Sequence, residues 1–240
     1  MSAYLITTDA PVNDAVLNGI AHIPTEYLPK LVEPGFFKKL GDADCLRIAT
    51  WLAQKSFVEG GCPIGAVIID SESRRILGKG HNTLGQENDS TTHGETAALR
   101  DAGRAARLRG EGPVDFRKSI LFTSLTPCVV CCAQICHRCH FEAVVIGDIT
   151  NAPSSEAALR AGGIRNVKVI EDARAVALYR EYLQARPEQH FLDWGGHRKL
   201  DEAIARGLGP DGWDAPDHRG GVAGTFEKET DELTLRADEG

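Results

Sequence analysis

From residue 42 to residue 186, short apolar runs alternate with stretches of helical periodicity. That alternation restricts the chain to a layered α/β architecture. DADCLRIATWLAQKSFV (42–58) sets Leu46, Ile48, Ala49, Leu52 and Ala53 at helical spacing, and Gly60-Gly61 stops the helix. IGAVIID (64–70) and RILGKG (75–80) read as an antiparallel hairpin turned by SESR. HNTLGQENDSTT (81–92) is a polar loop, and THGETAALRDAG predicts a helix from about Thr92 to Gly103. SILFTS (119–124) is a strand, after which Thr126 and Pro127 suit the cap and first position of a helix. Strands at 142–147 and 166–170 and helices at 154–163 and 172–186 follow, the last ended by Pro187. Strands joined through helices are expected to run parallel.

Three regions emerge. Residues 1–41, with Pro11, Pro24, Pro29 and Pro34, read as an irregular N-terminal extension holding one short helix. Residues 42–196 form the folded domain. Residues 197–240 are polar and acidic, with few core-forming side chains, and read as a weakly ordered tail.

Two short motifs carry chemistry. His93-Gly94-Glu95 opens one predicted helix, and Pro127-Cys128-Val129-Val130-Cys131 opens another. Both follow a strand or loop edge, where an open α/β sheet places its ligand crevice. The pair H-x-E and P-C-x-x-C, in that order, is the signature of zinc deaminases. The chemistry is consistent. Zn2+ accepts one imidazole and two thiolates, from His93, Cys128 and Cys131, and keeps a fourth position for water. A helix start favours the thiolate form of cysteine. Glu95 is not needed as a ligand, so it can take the water's proton and pass it to the ring nitrogen and the leaving ammonia. Alone, a C-x-x-C is as often a structural knuckle or a redox pair, and an H-x-E an ordinary helix start.

Five of the 7 cysteines crowd between Cys128 and Cys139, which in a reducing compartment points to metal binding or catalysis, not disulfides. Cys136, Cys139 and His140 spell C-x-x-C-H, formally a haem-attachment motif. The same segment continues the predicted helix, so Cys132, Cys136 and Cys139 read as packing residues, like Cys45 and Cys62. MSAYLITTDAPVND has neither the basic start nor the apolar run of an export signal, and no stretch approaches a membrane span. The expectation is a cytoplasmic protein. Its net charge of −7 argues against long nucleic acid and for a small-molecule partner.

EGGCPIGAVII, LGKGHNTLGQ, HGETAALRDAGR, LFTSLTPCVVC and ARPEQHFLDWGG resemble the fungal-type cytosine deaminases of the cytidine deaminase-like superfamily over roughly residues 42–196. The resemblance implies a three-layer α/β/α fold with a mixed five-stranded sheet, one Zn2+ per subunit, a homodimer, and cytosine as substrate. It implies that Asn82 hydrogen-bonds the carbonyl side of the base and that Gly94 lends its backbone N–H. Asp193 would receive the substrate's amino or ring N–H. Ile64 would be an apolar wall, Thr126 would turn a backbone carbonyl to the leaving amine, and Cys128 would add its N–H. By default Asn82 is a turn residue and Asp193 a solvated charge. The chain departs from the family where His190 replaces a pocket tryptophan and Ala152 a phenylalanine. That opens the pocket, lets Phe191 or Trp194 refill it, or makes His190 a substrate contact.

Alternatives stay open. The altered aromatics suit another base, such as guanine, isocytosine or an aminotriazine. Arg100, Arg104, Arg107 and Arg109 could serve a tRNA adenosine deaminase, although such a stretch is usually a solvated helix face. A non-catalytic zinc-binding module would leave Glu95 without a task.

Overall fold

The computed structural model describes residues 4–193. Trp194 and the tail at 197–240 lie outside the described residues, and so does the side chain of Phe191. Five strands form one sheet: β1 (Gly65–Asp70), β2 (Ile76–His81), β3 (Ser119–Thr123), β4 (Ala143–Ile146) and β5 (Asn166–Val169), in the order β2-β1-β3-β4-β5. β1 runs antiparallel to β2 and β3, while β3, β4 and β5 run parallel. The sheet is mixed, as expected.

Period-2 alternation sends successive side chains to opposite faces. Val67 and Ile69 of β1 join one apolar cluster with Ile76, Phe122 and Val145, and Ala66 and Ile68 join a second with Leu121, Val144 and Ile146. The first face is covered by α1 (Asp14–His22) and α2 (Asp42–Val58), through Leu17, Ile20, Leu46, Ile48 and Leu52. The second is covered by α3 (Gly94–Leu108), α4 (Val129–Ala133) and α5 (Glu156–Ala161), through Ala98, Ala102, Cys131, Cys132 and Leu159. A further helix, α6 (Ala173–Ala185), leads into α7 (Pro187–Asp193). The result is the three-layer α/β/α arrangement.

The structure corrects four sequence expectations. Residues 4–41 are not an irregular appendage: Leu28, Val32, Phe36, Phe37 and Leu40 are buried in the first cluster. Pro29 and Pro34 stand in the first turns of short helices, where a missing N–H costs nothing. The loop after β2 contains a helical turn at Leu84–Glu87. Gly103 does not end α3, because it lies on the exposed face while Ala105 and Ala106 carry the buried stripe onward. The helix stops before Gly110, whose φ of +72° is the left-handed conformation. Finally, Cys128, not Thr126, is the N-cap of α4. Thr126 is engaged elsewhere, its hydroxyl lying 2.8 Å from Ser155 Oγ and accepting from Ser155 N at 2.9 Å.

α3 lies directly on β2. A Cβ added at Gly78 would come within 2.5 Å of Ala102 N, and one at Gly80 within 2.5 Å of Ala97 Cβ. Strand backbone and helix backbone touch there, which only glycine and alanine permit. This contact sets the height of the N-terminus of α3 above the sheet edge.

Candidate active site

The residues singled out in the sequence gather at the carboxyl ends of β2, β3 and β4, around a cavity of about 700 Å³. Ile64 precedes β1, Asn82 follows β2, His93 caps α3, and Thr126 and Cys128 follow β3. Ile64, Asn82, His93, Glu95, Thr126, Cys128 and Asp193 all line the cavity. Gly94 lies behind Ile64, so close that a Cβ there would stand 2.9 Å from Ile64 O.

His93 Nδ1 is 3.5 Å from Cys128 Sγ and 3.7 Å from Cys131 Sγ. The three donor atoms lie within 4.8 Å of one another, the one such convergence of three His, Cys, Asp or Glu donors among the described residues. Hydrogen bonding from Cys131, reinforced by His93, holds the Cys128 thiol down at about 4, and contact with that thiolate pushes Cys131 up. Cys128 also raises the His93 imidazole above its ordinary value. One imidazole and two thiols at this spacing, with the negative charge crowded onto one sulfur, fit a divalent soft-to-borderline cation that lets both sulfurs ionise.

Glu95 is buried beside this cluster. Its Oε1 accepts from Thr123 Oγ at 3.1 Å, and its Oε2 is 3.4 Å from Cys131 Sγ. Burial raises its carboxyl pKa. Asn82 is both a turn residue and a cavity residue. Its Oδ1 accepts from Leu84 N at 3.0 Å, which leaves Nδ2 as the remaining donor. Its backbone is fixed by Ile64 O, by Ser56 Oγ at 2.6 Å and by Gln86 Nε2 at 3.0 Å. Asp193 Oδ2 accepts from the Tyr182 hydroxyl at 2.7 Å.

His190 does not line the cavity. It is buried against Tyr179 and Tyr182, with ring centroids 5.9 and 6.0 Å away in edge contacts, and its Nδ1 is 3.2 Å from Tyr179 Oη. Sequence reasoning placed His190 against substrate because it aligned with a pocket aromatic. It missed the two tyrosines of α6, which share a buried cluster with Ala152, Cys62, Ile64 and Leu125. Thr123 was also missed. Its only signal was a polar residue closing a buried strand at the sheet's carboxyl edge.

Cys132, Cys136 and Cys139 are buried in the second core cluster, as packing residues. On α3, Arg100 pairs with Asp89 and Arg104 with Glu26 and Asp101, and Arg109, just past the helix, pairs with Glu111.

An α/β/α sheet with an imidazole, two thiols and a buried carboxylate at its carboxyl edge defines a zinc-type deaminase. The family model for the cytidine and deoxycytidylate deaminase zinc-binding region matches residues 41–148. A cytosine deaminase from Candida albicans is 33% identical over 154 residues, covering 64% of this chain and 97% of that protein. The chain belongs to this zinc-binding deaminase family, and its cofactor is Zn2+. A tRNA-specific adenosine deaminase from Buchnera aphidicola is 35% identical over 96 residues, 39% of this chain and 58% of that protein. A solved structure in complex with 2,6-diaminopurine superposes with a TM-score of 0.51 at 23% identity, over 61% of this chain and 83% of that one. At that identity the likeness is one of fold. No described helix is long and apolar enough to cross a membrane.

Proposed function

We propose that this chain hydrolyses the exocyclic amino group of a free nucleobase, converting cytosine to uracil with release of ammonia. The observation that carries the reading is the placement of Asn82 and Asp193 in one cavity with buried Glu95. A donor, an acceptor and a proton carrier thus face a single small molecule. The Candida cytosine deaminase supports it, because that match extends over 97% of the relative.

His93, Cys128 and Cys131 hold the zinc, which when bound supplies a Lewis acid that makes water nucleophilic near neutral pH. Glu95 takes the proton of the attacking water, delivers it to the ring nitrogen, and then carries a proton to the departing amine. The C–N bond breaks, ammonia leaves, and a ring carbonyl replaces the amidine. Asn82 Nδ2 and the Gly94 N–H bind the base carbonyl, Asp193 accepts from the amino or ring N–H, and Ile64 packs on the ring. The Thr126 carbonyl faces the leaving amine, and the Cys128 N–H faces the attacking oxygen. Buried polar groups paired in this way reject analogues that lack the matching group.

A second reading keeps the chemistry and changes the base to guanine, isocytosine or an aminotriazine. The wall favours it, because His190 and Ala152 stand where the resembled family carries a tryptophan and a phenylalanine. The chain acts in the cytoplasm as a homodimer in this proposal. Val129 and Val130, 83% and 60% exposed at the cavity rim, are the surface a second copy would cover.

Ammonia release by zinc-loaded protein, assayed with cytosine, isocytosine, guanine, an aminotriazine, cytidine and adenine, tests this. Turnover of cytosine that is lost in Glu95→Gln supports the first reading. Turnover of guanine or a triazine with cytosine idle supports the second. No turnover of any free base overturns both.

A further inference from the structure

We propose that Tyr182 is a positioning residue that holds the Asp193 carboxylate in its substrate-reading orientation and so sets which edge of a base the cavity accepts. The inference rests on the reading of Asp193 as a substrate contact.

Tyr179 and Tyr182 stand three residues apart on α6, and His190 and Asp193 stand three apart on α7. Equal spacing brings them together as two rungs, Tyr179 with His190 at 3.2 Å and Tyr182 with Asp193 at 2.7 Å, each spanning eleven residues of chain. Both tyrosine rings are buried and meet edge-on at 5.7 Å. They pack against Cys62, Ile64 and Leu125, whose other sides line the cavity. The tyrosine hydroxyls are therefore fixed by the same residues that shape the substrate wall.

A 2.7 Å O–H···O contact to a carboxylate is a short, charge-assisted hydrogen bond. Tyr182 can only donate in it, because burial keeps the phenol protonated far above its usual range. Asp193 Oδ2 is thus engaged, and among the described residues none takes up Oδ1, which serves as the acceptor. Burial pushes the Asp193 carboxyl up, and the Tyr182 hydrogen bond opposes that push. As the acceptor of the Tyr182 hydrogen bond, the carboxylate calls for N–H donors on a base. Without the hydroxyl, Asp193 would lie near the end of a seven-residue helix with its rotamer unset, and ordering it would fall to the substrate.

The test is a double-mutant cycle on the zinc-loaded full chain: Tyr182→Phe, Asp193→Asn, and both. Cytosine and guanine are the probes, with KM, kcat, zinc content and Tm read for each protein. Tyr182→Phe is expected to raise KM about tenfold with kcat within about threefold, the loss of one charge-assisted hydrogen bond. Zinc content stays unchanged. Asp193→Asn is expected to raise KM further, and the double variant to be no worse than Asp193→Asn alone, because Tyr182 acts through that carboxylate. An unchanged KM in Tyr182→Phe, or effects that multiply in the double variant, overturns the proposal while leaving Asp193's role standing. An unchanged KM in Asp193→Asn, or no turnover of either base, overturns the reading beneath it as well. If Tyr182→Phe does not fold, Asp193→Glu replaces it. That variant leaves the buried rings intact and carries the carboxylate past the hydroxyl; the same rise in KM is expected, and an unchanged KM overturns the proposal.

Discussion

The hydroxyl of Thr123 donates to Glu95 Oε1 at 3.1 Å, tying the last residue of β3 to the first turn of α3. The one proton of that hydroxyl is shared with Leu125 O at 2.9 Å, so Thr123 bridges the carboxylate to the loop that leads into Cys128. Glu95→Gln is expected to lower kcat by about 10³-fold or more, the scale of a lost general acid–base. Thr123→Val keeps the shape and removes the hydroxyl, and is expected to cost about 10- to 100-fold in kcat, since one hydrogen bond to a charged group is worth about 1.5–3 kcal/mol. Steady-state kinetics with zinc content measured in parallel checks both. Full activity in Thr123→Val would show that burial alone orients Glu95.

Three donor atoms within 4.8 Å predict one tightly held zinc per chain. Chelation at neutral pH is expected to abolish activity and one equivalent of zinc to restore it. Cys131→Ser should lose the metal as completely as Cys128→Ser, even though only Cys128 is held at a low pKa, about 4, by its neighbours. Both sulfurs must lose their protons to bind the ion, so zinc affinity should fall as pH falls. Atomic emission on protein dialysed at pH 5 and at pH 7.5 would detect the difference. Retention of zinc in either cysteine variant would contradict the assignment.

Lys79 supplies a pH dependence away from the cavity. Its ammonium donates to Ala21 O at 2.7 Å, and burial lowers its pKa to about 8 from 10.5. Between those values the unfolded chain holds a proton that the folded chain has released, so stability rises with pH from about 8 to about 10.5. Below about 8 the folded state carries the full penalty of a buried charge. Lys79→Met should remove this component, leaving a wild-type-minus-variant difference that changes by about 3 kcal/mol across the window. Urea unfolding of both proteins at pH 7.5, 9 and 10.5 gives that difference, and a flat one would refute the prediction.

The N-terminal segment is part of the core, so its removal should be severe. Phe36 is fully buried, and Phe36→Ala is expected to cost about 3–5 kcal/mol. Deleting residues 1–41 would strip Leu28, Val32, Phe36 and Phe37 from one face of the sheet. Such a protein should be insoluble, or show exposed apolar surface by dye binding. A soluble, zinc-loaded truncation with an unchanged Tm would show that the segment only decorates the domain.

What was readable in the sequence follows from where each signal is local. Strands β1 to β5 were visible because apolar runs bounded by turn residues report burial directly. His93, Glu95, Cys128 and Cys131 were visible because metal chemistry needs those side chains at fixed short spacings. Asn82 and Asp193 came only through family resemblance, since neither carries a local mark. The N-terminal segment was misjudged because four prolines mask short helices whose apolar residues have no long periodicity. Thr126 was a plausible cap, but Ser155, 29 residues away, takes its hydroxyl. His190 was judged by its position in a family pattern, while its surroundings are set by Tyr179 and Tyr182, which look in sequence like ordinary helix-core aromatics. Contacts of that kind are decided by how α6 meets α7, and no window of sequence contains the angle.

The bare contact between β2 and α3 has a consequence for precision. Most helices rest on a sheet through a cushion of side chains that can shift rotamers, absorb a substitution, or breathe with temperature. At Gly78 and Gly80 that cushion is absent, and the helix backbone rests on the strand. Asn82, just beyond the end of β2, and His93 and Glu95, at the start of α3, are therefore mounted on one stiff bracket. The distance from Asn82 to His93 and Glu95 is set when the chain folds, before any ligand arrives.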